Sequence, residues 1–208
     1  MNNPWLNIPA SDYEGHMGLP EVDQLSFLGG VFKESLANYD NSSIAYLGCA
    51  TGNGLEYISK KTHKLTAIDI NPEYLQILRN RYQNMIPGLE TIETDLDDFQ
   101  GHGQQYSLIF AGLLFEYLAP DPLLKKISIW LEKTGVMVVV LQLEGTQTKK
   151  VSDTPYSSLK QLDPIMNLVS AQDFKLMAIE SGLKELDGKI VMLESGKTFY
   201  IGAYGKNA

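Results

Sequence analysis

The chain has 208 residues, 44% hydrophobic and 20% charged, which is enough for one well-buried domain, short for two, and too apolar for a disordered segment. Its formal net charge is −8, and its 17 Lys and Arg residues cluster no further than pairs such as Lys60-Lys61 and Lys149-Lys150, which argues against a nucleic-acid partner. One cysteine, Cys49, excludes an intrachain disulfide and a cysteine-based zinc cluster.

The N-terminal "MNNPWLNIPASDYEGHM" has neither a basic region nor an apolar stretch of signal-peptide type. "IPASDYEGHMGLP" reads as a loop or short helix, and "PEVDQLSFLGGVFKESLANYD" as a helix with Gly29-Gly30 as a weak spot. These first 42 residues are expected to form a cap or lid over the C-terminal edge of a sheet. "SIAYLGC", Ser43 to Cys49, reads as the first buried strand, and Gly52 is expected to open a helix. "LTAIDI" is a second strand. "NPEYLQILRNRYQN" follows as a helix, with Asn71 as N-cap, Pro72 at the first helical position and Glu73 at the positive end of the dipole. "LETIETD" and "YSLIFAGLL" are the third and fourth strands. "DPLLKKISIWLEKTG" reads as a helix stopped by Gly135, and "VMVVVLQL" as a strand covered on both faces.

Residues 43–145 thus form an alternating core, which implies a mostly parallel, doubly wound α/β sheet of Rossmann-like type. Residues 146–208 add "SAQDFKLMAIESG", a helix capped by Ser170, and two strand-like runs joined at Glu194-Ser195-Gly196-Lys197 as an antiparallel hairpin. The whole is expected to be a single domain. Its longest strongly apolar run, Val136 to Leu141, is far below the roughly 20 residues that a bilayer span requires. The expectation is a cytoplasmic protein without a membrane partner, a monomer or homodimer.

Ligands of open α/β sheets bind at the carboxyl ends of the strands, near the first strand-to-helix turn. Here that turn is "GCATGNG". Gly48 and Gly52 lack Cβ atoms, so the backbone can turn tightly and a ligand can approach it. A helix N-terminus beyond would hold a carboxylate or phosphate. The spacing G-x-x-x-G-x-G is not the dinucleotide fingerprint G-x-G-x-x-G. Asp69, ending the second strand, can accept hydrogen bonds from both ribose hydroxyls or cap the Asn71 helix locally. Asp95, ending the third, can accept from an adenine amine or be a loop acid. Ile70 can pack on an adenine face or belong to the core.

The series "YLGCATGNG", "AIDINPEYL", "ETDLDDF" and "YSLIFAGLLFEYL" resembles the class I S-adenosylmethionine-dependent methyltransferases from about Ile44 to Gly145. The resemblance implies S-adenosyl-L-methionine as cofactor. Its methionine part would lie on the backbone around Gly48, Cys49 and Ala50, beside Gly52. Asp69 would take the ribose, Ile70 and Leu96 would line the adenine pocket, Asp95 would take the adenine amine, and Ala111 would close the fourth-strand side. The sequence departs from the family pattern at Tyr46 and Ser107, where acids are usual, and at Ala50, where glycine is usual.

A competing reading rests on "YSSLK". Tyr156 and Lys160 have the Y-x-x-x-K spacing of NAD(P)-dependent short-chain dehydrogenases, which share this glycine spacing. The serine that those enzymes place before the tyrosine is missing, with no hydroxyl until Thr146, and Asp163-Pro164 limits any helix. A third reading is a non-catalytic partner protein that binds the nucleoside. Within the methyltransferase reading, "AGLL" lacks the D/N-P-P-Y/F motif of base amino-methylation, and no metal pattern surrounds His16, His63 and His102. A small-molecule acceptor is the expectation, with "DYEGHM" as lid. Candidate catalytic residues are His16, able to take a proton near neutral pH, Tyr13 beside it, and Glu116, expected to face the acceptor with Tyr117. The alternatives are a surface histidine and packing or capping roles.

Overall fold

The structure, a computed structural model, describes residues 3–145 and 150–207. Thr146 and Lys149 lie outside the described residues. Five strands run parallel: β1 (Ser43–Leu47), β2 (Lys64–Asp69), β3 (Leu89–Glu93), β4 (Tyr106–Gly112) and β5 (Leu131–Gln142). The hairpin of β6 (Leu183–Met192) and β7 (Thr198–Lys206) joins antiparallel through β7, giving the order β3-β2-β1-β4-β5-β7-β6. This is the expected mostly parallel sheet with a closing hairpin. Strand order reverses between β1 and β4, so the ligand crevice belongs at their carboxyl ends.

Five α-helices lie among the described residues: α1 (Ala10–Met17), α2 (Gln24–Asn38), α3 (Pro72–Tyr82), α4 (Pro120–Trp130) and α5 (Ala171–Glu180). Side-chain alternation along the strands makes two cores. Ile44, Tyr46, Leu108 and Phe110 bury one face against Phe32 of α2 and Leu75 and Leu78 of α3. Ala45, Leu47, Ile109 and Ala111 bury the other against α4 and α5 through Leu124, Ile127 and Phe174. Asn71 caps α3, accepting from the Glu73 and Tyr74 amides at 2.9 and 3.3 Å, and the Ser170 hydroxyl accepts from the Asp173 amide at 3.0 Å.

Three expectations are corrected. Gly52 opens no α-helix. Gly52 and Gly54 have φ of 90° and 85°, left-handed values that turn the chain, and only a short 3-10 turn, Leu55–Tyr57, follows. The N-terminal α2 covers that face instead. Gly29 supplies the close approach: its Cα would lie 3.4 Å from a Cβ on Gly54, and the Asn53 amide donates to the Leu25 carbonyl at 2.9 Å. The second correction concerns the helix before β5. It ends at Trp130, not Gly135, because Leu131 is extended (φ −69°, ψ 140°) and pairs with Tyr106. Sheet pairing overrides the helix propensity of Leu-Glu-Lys. Gly135 is the point of closest contact, where a Cβ would meet the Tyr106 carbonyl at 2.6 Å. Finally, β3 stops at Glu93, so Asp95 lies just beyond it in a turn closed by the Asp98 and Phe99 amides on the Asp95 carbonyl.

Candidate active site

At the carboxyl ends of β1, β2 and β4 lies one cavity of about 880 Å³. Gly48, Ala50, Asp69, Ile70, Asp95 and Leu96 all line it. Gly48 (φ 61°) is where side-chain bulk would intrude, since a Cβ there would come 2.9 Å from Leu114. Asp69 is 9% exposed, and it also clamps the loop: its carboxylate accepts from the Ala50 amide at 2.8 Å and from the Asn71 amide at 2.9 Å. Ala50 is held at φ 45° by that clamp. Burial pushes the Asp69 carboxyl up to about 6, opposed by the amides of Asn71, Ala50 and Ile70. Asp95 is half-buried and accepts from the Asp97 amide at 3.0 Å.

Three residues expected at the cofactor are not on the cavity wall. The Cys49 side chain is buried in the core beneath the loop, where burial and then the Asp69 charge hold its thiol well above the usual range. Gly52 faces α3, because a Cβ there would meet Tyr82, Leu55 and Leu78. Ala111 points into the core on the α4 and α5 side, and Gly112 and Leu113 line the cavity instead. The expected anion-holding helix N-terminus is absent with its helix. The amides of Cys49, Ala50 and Gly52 are already bonded to Ile68, Asp69 and Cys49.

α1 lies over this opening. Tyr13, His16 and Met17 line the cavity from it. Glu14 faces away and ties α1 down: it accepts from the Thr51 hydroxyl of the glycine loop and from both Arg81 terminal nitrogens of α3, at 2.5 and 3.1 Å. The Tyr13 ring stacks on Tyr74 at 5.4 Å and meets Trp5 edge-on at 6.2 Å, with Tyr117 at 5.0 Å from Trp5. Burial, then the Asp69 and Glu14 charges, keep the Tyr13 phenol well above its usual range, so it stays protonated and can donate a hydrogen bond but not act as a base. His16 is buried, not a surface residue, and its Nδ1 has no partner. Burial first, then the Lys197 charge, lower its pKa and favour neutral imidazole.

Glu116 does not face the cavity, contrary to expectation. After β4 the chain turns at Leu113 (φ 54°), and the Tyr117 amide bonds back to the Leu114 carbonyl at 3.0 Å. That turn sends Tyr117 to the cavity and Glu116 inward, where Oε1 accepts from the Gln142 amide at 2.6 Å. Burial pushes its carboxyl up to about 7.

The family departures have structural roles. The Tyr46 hydroxyl donates to the Asn53 carbonyl at 3.1 Å and so braces the glycine loop. Ser107 joins β4 to β1, accepting from the Ser43 amide and donating to its carbonyl at 3.0 and 2.9 Å.

Residues 44–135 match the methyltransferase domain family. Over these residues, less than half of the chain, the sequence is similar to methyltransferase domains. Its fold is similar to that of the N-methyltransferase NodS from Bradyrhizobium japonicum, solved with S-adenosyl-L-homocysteine: 16% identity, TM-score 0.69, covering 92% of this chain and 91% of that one. It is also similar to a TehB-like methyltransferase from Corynebacterium glutamicum, at 18% identity and TM-score 0.61, covering 86% and 88%. In sequence it is 29% identical over 130 residues to ribosomal RNA small subunit methyltransferase A of Borreliella burgdorferi, covering 62% of this chain and 46% of that protein. The chain therefore spans about half the length of the curated relatives it matches.

The dehydrogenase pair, Tyr156 and Lys160, does not line this cavity. Tyr156 packs against α1, where a Cβ on Gly15 would come 2.3 Å from its hydroxyl oxygen, and Lys160 is exposed in the 3-10 helix Ser157–Leu162.

Three cavity residues were invisible in the sequence. Tyr74, on α3, has a buried hydroxyl without a partner. Gln142 ends β5, and Lys197, from the hairpin turn, reaches the same wall. No sequence signal marks them, because each depends on elements meeting across the fold.

Proposed function

We propose that this domain transfers a methyl group from S-adenosylmethionine to a small-molecule acceptor. The observation that carries the reading is the cavity of about 880 Å³ at the carboxyl ends of the strands, near the top of the usual range for ligand pockets, about 300–1,000 Å³. It has room for a cofactor beside Asp69 and Asp95 and for a second small molecule beneath α1. The residues fit this cofactor. Gly48 leaves its backbone open, Asp69 keeps lone pairs free for ribose hydroxyls beyond its bonds to the Ala50 and Asn71 amides and its contact with the Ile70 amide, and the unpartnered Tyr74 hydroxyl offers a further polar contact. Ile70 and Leu96 supply the apolar walls for adenine, and Asp95 an acceptor for its amine.

Bound S-adenosylmethionine supplies an already activated methyl group, so the chain's own residues need chiefly to position the acceptor and exclude water. The rings of Trp5, Tyr13, Tyr74 and Tyr117, packed edge-on and tilted against one another, make an aromatic wall for that purpose. Where the acceptor must lose a proton, neutral His16 is the group in this cavity suited to take it, which is typically worth about 10²–10⁴-fold.

The RNA relative points to another acceptor class. The net charge of −8 and the cavity lying beneath α1 count against a polynucleotide here. The space beneath α1 likewise counts against a purely nucleoside-binding partner protein.

Calorimetry with S-adenosylmethionine and S-adenosyl-L-homocysteine tests the reading. Both should bind, and Asp69→Ala should weaken them by about 1–3 kcal/mol, the cost of unpaired polar groups. No heat at millimolar ligand would sink it.

A further inference from the structure

We propose that the end of the cavity formed by Lys197, Gln142 and His16 is a subsite for an anionic group, a carboxylate, of the methyl acceptor. The proposal rests on the methyl-transfer reading above and adds the acceptor's chemical class. Lys197 is 4% exposed, yet it lines the cavity. Its ammonium donates to Gln142 Oε1 at 3.2 Å and to the Lys150 carbonyl at 2.9 Å. Both partners are neutral, and an ammonium has three hydrogens to give. Among the described residues no carboxylate lies within ion-pair distance of it. A buried cation without a counter-ion is unfavourable unless something else compensates its lost hydration.

The groups around it do not supply that charge. His16, from α1, is disfavoured as a cation by Lys197 itself, and its Nδ1 is unpartnered. Glu21, which acts on His16, is exposed, as is Glu194 in the turn that carries Lys197. Glu116 lies behind the Gln142 backbone and bonds to its amide. Lys150 adds a second cation: it lines the cavity, and its ammonium donates to the Met166 carbonyl at 3.0 Å. Burial alone acts on Lys197, lowering its pKa to about 8, so it is mainly cationic at neutral pH. A carboxylate entering the cavity would complete the third hydrogen bond and neutralise the charge. The aromatic and leucine walls nearby suit an aryl or alkyl body behind that carboxylate.

The experiment uses the full chain saturated with S-adenosyl-L-homocysteine and titrates phenylacetate, 4-phenylbutyrate and their neutral amides by calorimetry. At pH 7 at least one acid should bind about tenfold or more tightly than its amide, as expected of a charge-assisted hydrogen bond. On wild type that preference should shrink at least about threefold as the pH rises through about 8 to about 9.5, because the folded ammonium loses its proton there while the acids stay ionised. Lys197→Met should abolish most of the preference and leave homocysteine-cofactor affinity within about twofold. The proposal is overturned if acids and amides bind alike or not at all, or if the preference is flat with pH. It is also overturned if Lys197→Met costs cofactor affinity instead, which would assign the cation to the cofactor's own carboxylate. Failure of wild type to bind S-adenosyl-L-homocysteine is the separate outcome that removes the methyl-transfer reading itself.

Discussion

Glu116 has one carboxyl oxygen, Oε2, that meets no partner, and the other accepts from the Gln142 amide. Burial raises its pKa from the usual 4.5 to about 7, so the folded chain holds this proton more tightly than the unfolded one. The stability it contributes is therefore full below about pH 4.5 and is lost as the pH rises through about 7. Glu116→Gln keeps the shape and the accepted amide bond without the charge. Its melting temperature should exceed that of wild type at about pH 8, by on the order of 1–3 kcal/mol in stability, with the gap closing near pH 5. A gap independent of pH in thermal scans would remove the titration account. Asp69 illustrates how one side chain serves two ends: both readings of it in the sequence, local cap and cavity acid, are compatible with its position. Its amide bonds fix the loop, and its remaining lone pairs face the cavity.

At the scale of elements, the glycine loop is supported from outside its own strand-helix unit. The helix that the sequence leads one to expect after Gly52 is missing, and α2 and α1 take over the covering of that region. α1 is fixed chiefly by Glu14, which bridges Thr51 and Arg81, and by Asp12, which accepts from the Ser158 hydroxyl at 2.6 Å. Arg81 and Glu14 keep 44% and 29% of their side-chain surface exposed, so the pair contributes little to global stability, about 1 kcal/mol or less. Its effect should be local. In Glu14→Gln, amide hydrogens of α1 should exchange at least about tenfold faster, while those of β4 and β5 keep their protection. Unchanged exchange in α1 would show that the helix is held by packing alone.

At the scale of the whole molecule, charge decides which acceptors can approach. With a net charge of −8 and no basic stripe, the chain should not bind a duplex RNA at about 0.15 M salt and about 10 µM protein. Gel-shift or anisotropy titrations check this; binding that weakens steeply with added salt would revive a polynucleotide acceptor. No helix among the described residues is long and apolar enough to cross a membrane. Much of this architecture was legible in the sequence. Alternating apolar runs, the Asn71-Pro72 start and the Ser-Gly hairpin turn are local signals, and each is set by steric and capping preferences within a few residues. The glycine loop and the two acids were legible for the same reason: they lie at or just beyond strand ends, where contiguous sequence places them. What the sequence could not show depends on direction and on distant pairing. A left-handed Leu113 turns Glu116 away from the cavity and Tyr117 toward it. β7, running antiparallel to β5, starts where β5 ends, and so carries Lys197 to Gln142 at the carboxyl edge of the parallel strands. The sequence by itself determined the strands of the sheet and the two acids near their carboxyl ends. The other end of the cavity, at His16, Gln142 and Lys197, was decided only by tertiary structure, because these groups come from chain segments that meet nowhere but in the folded molecule.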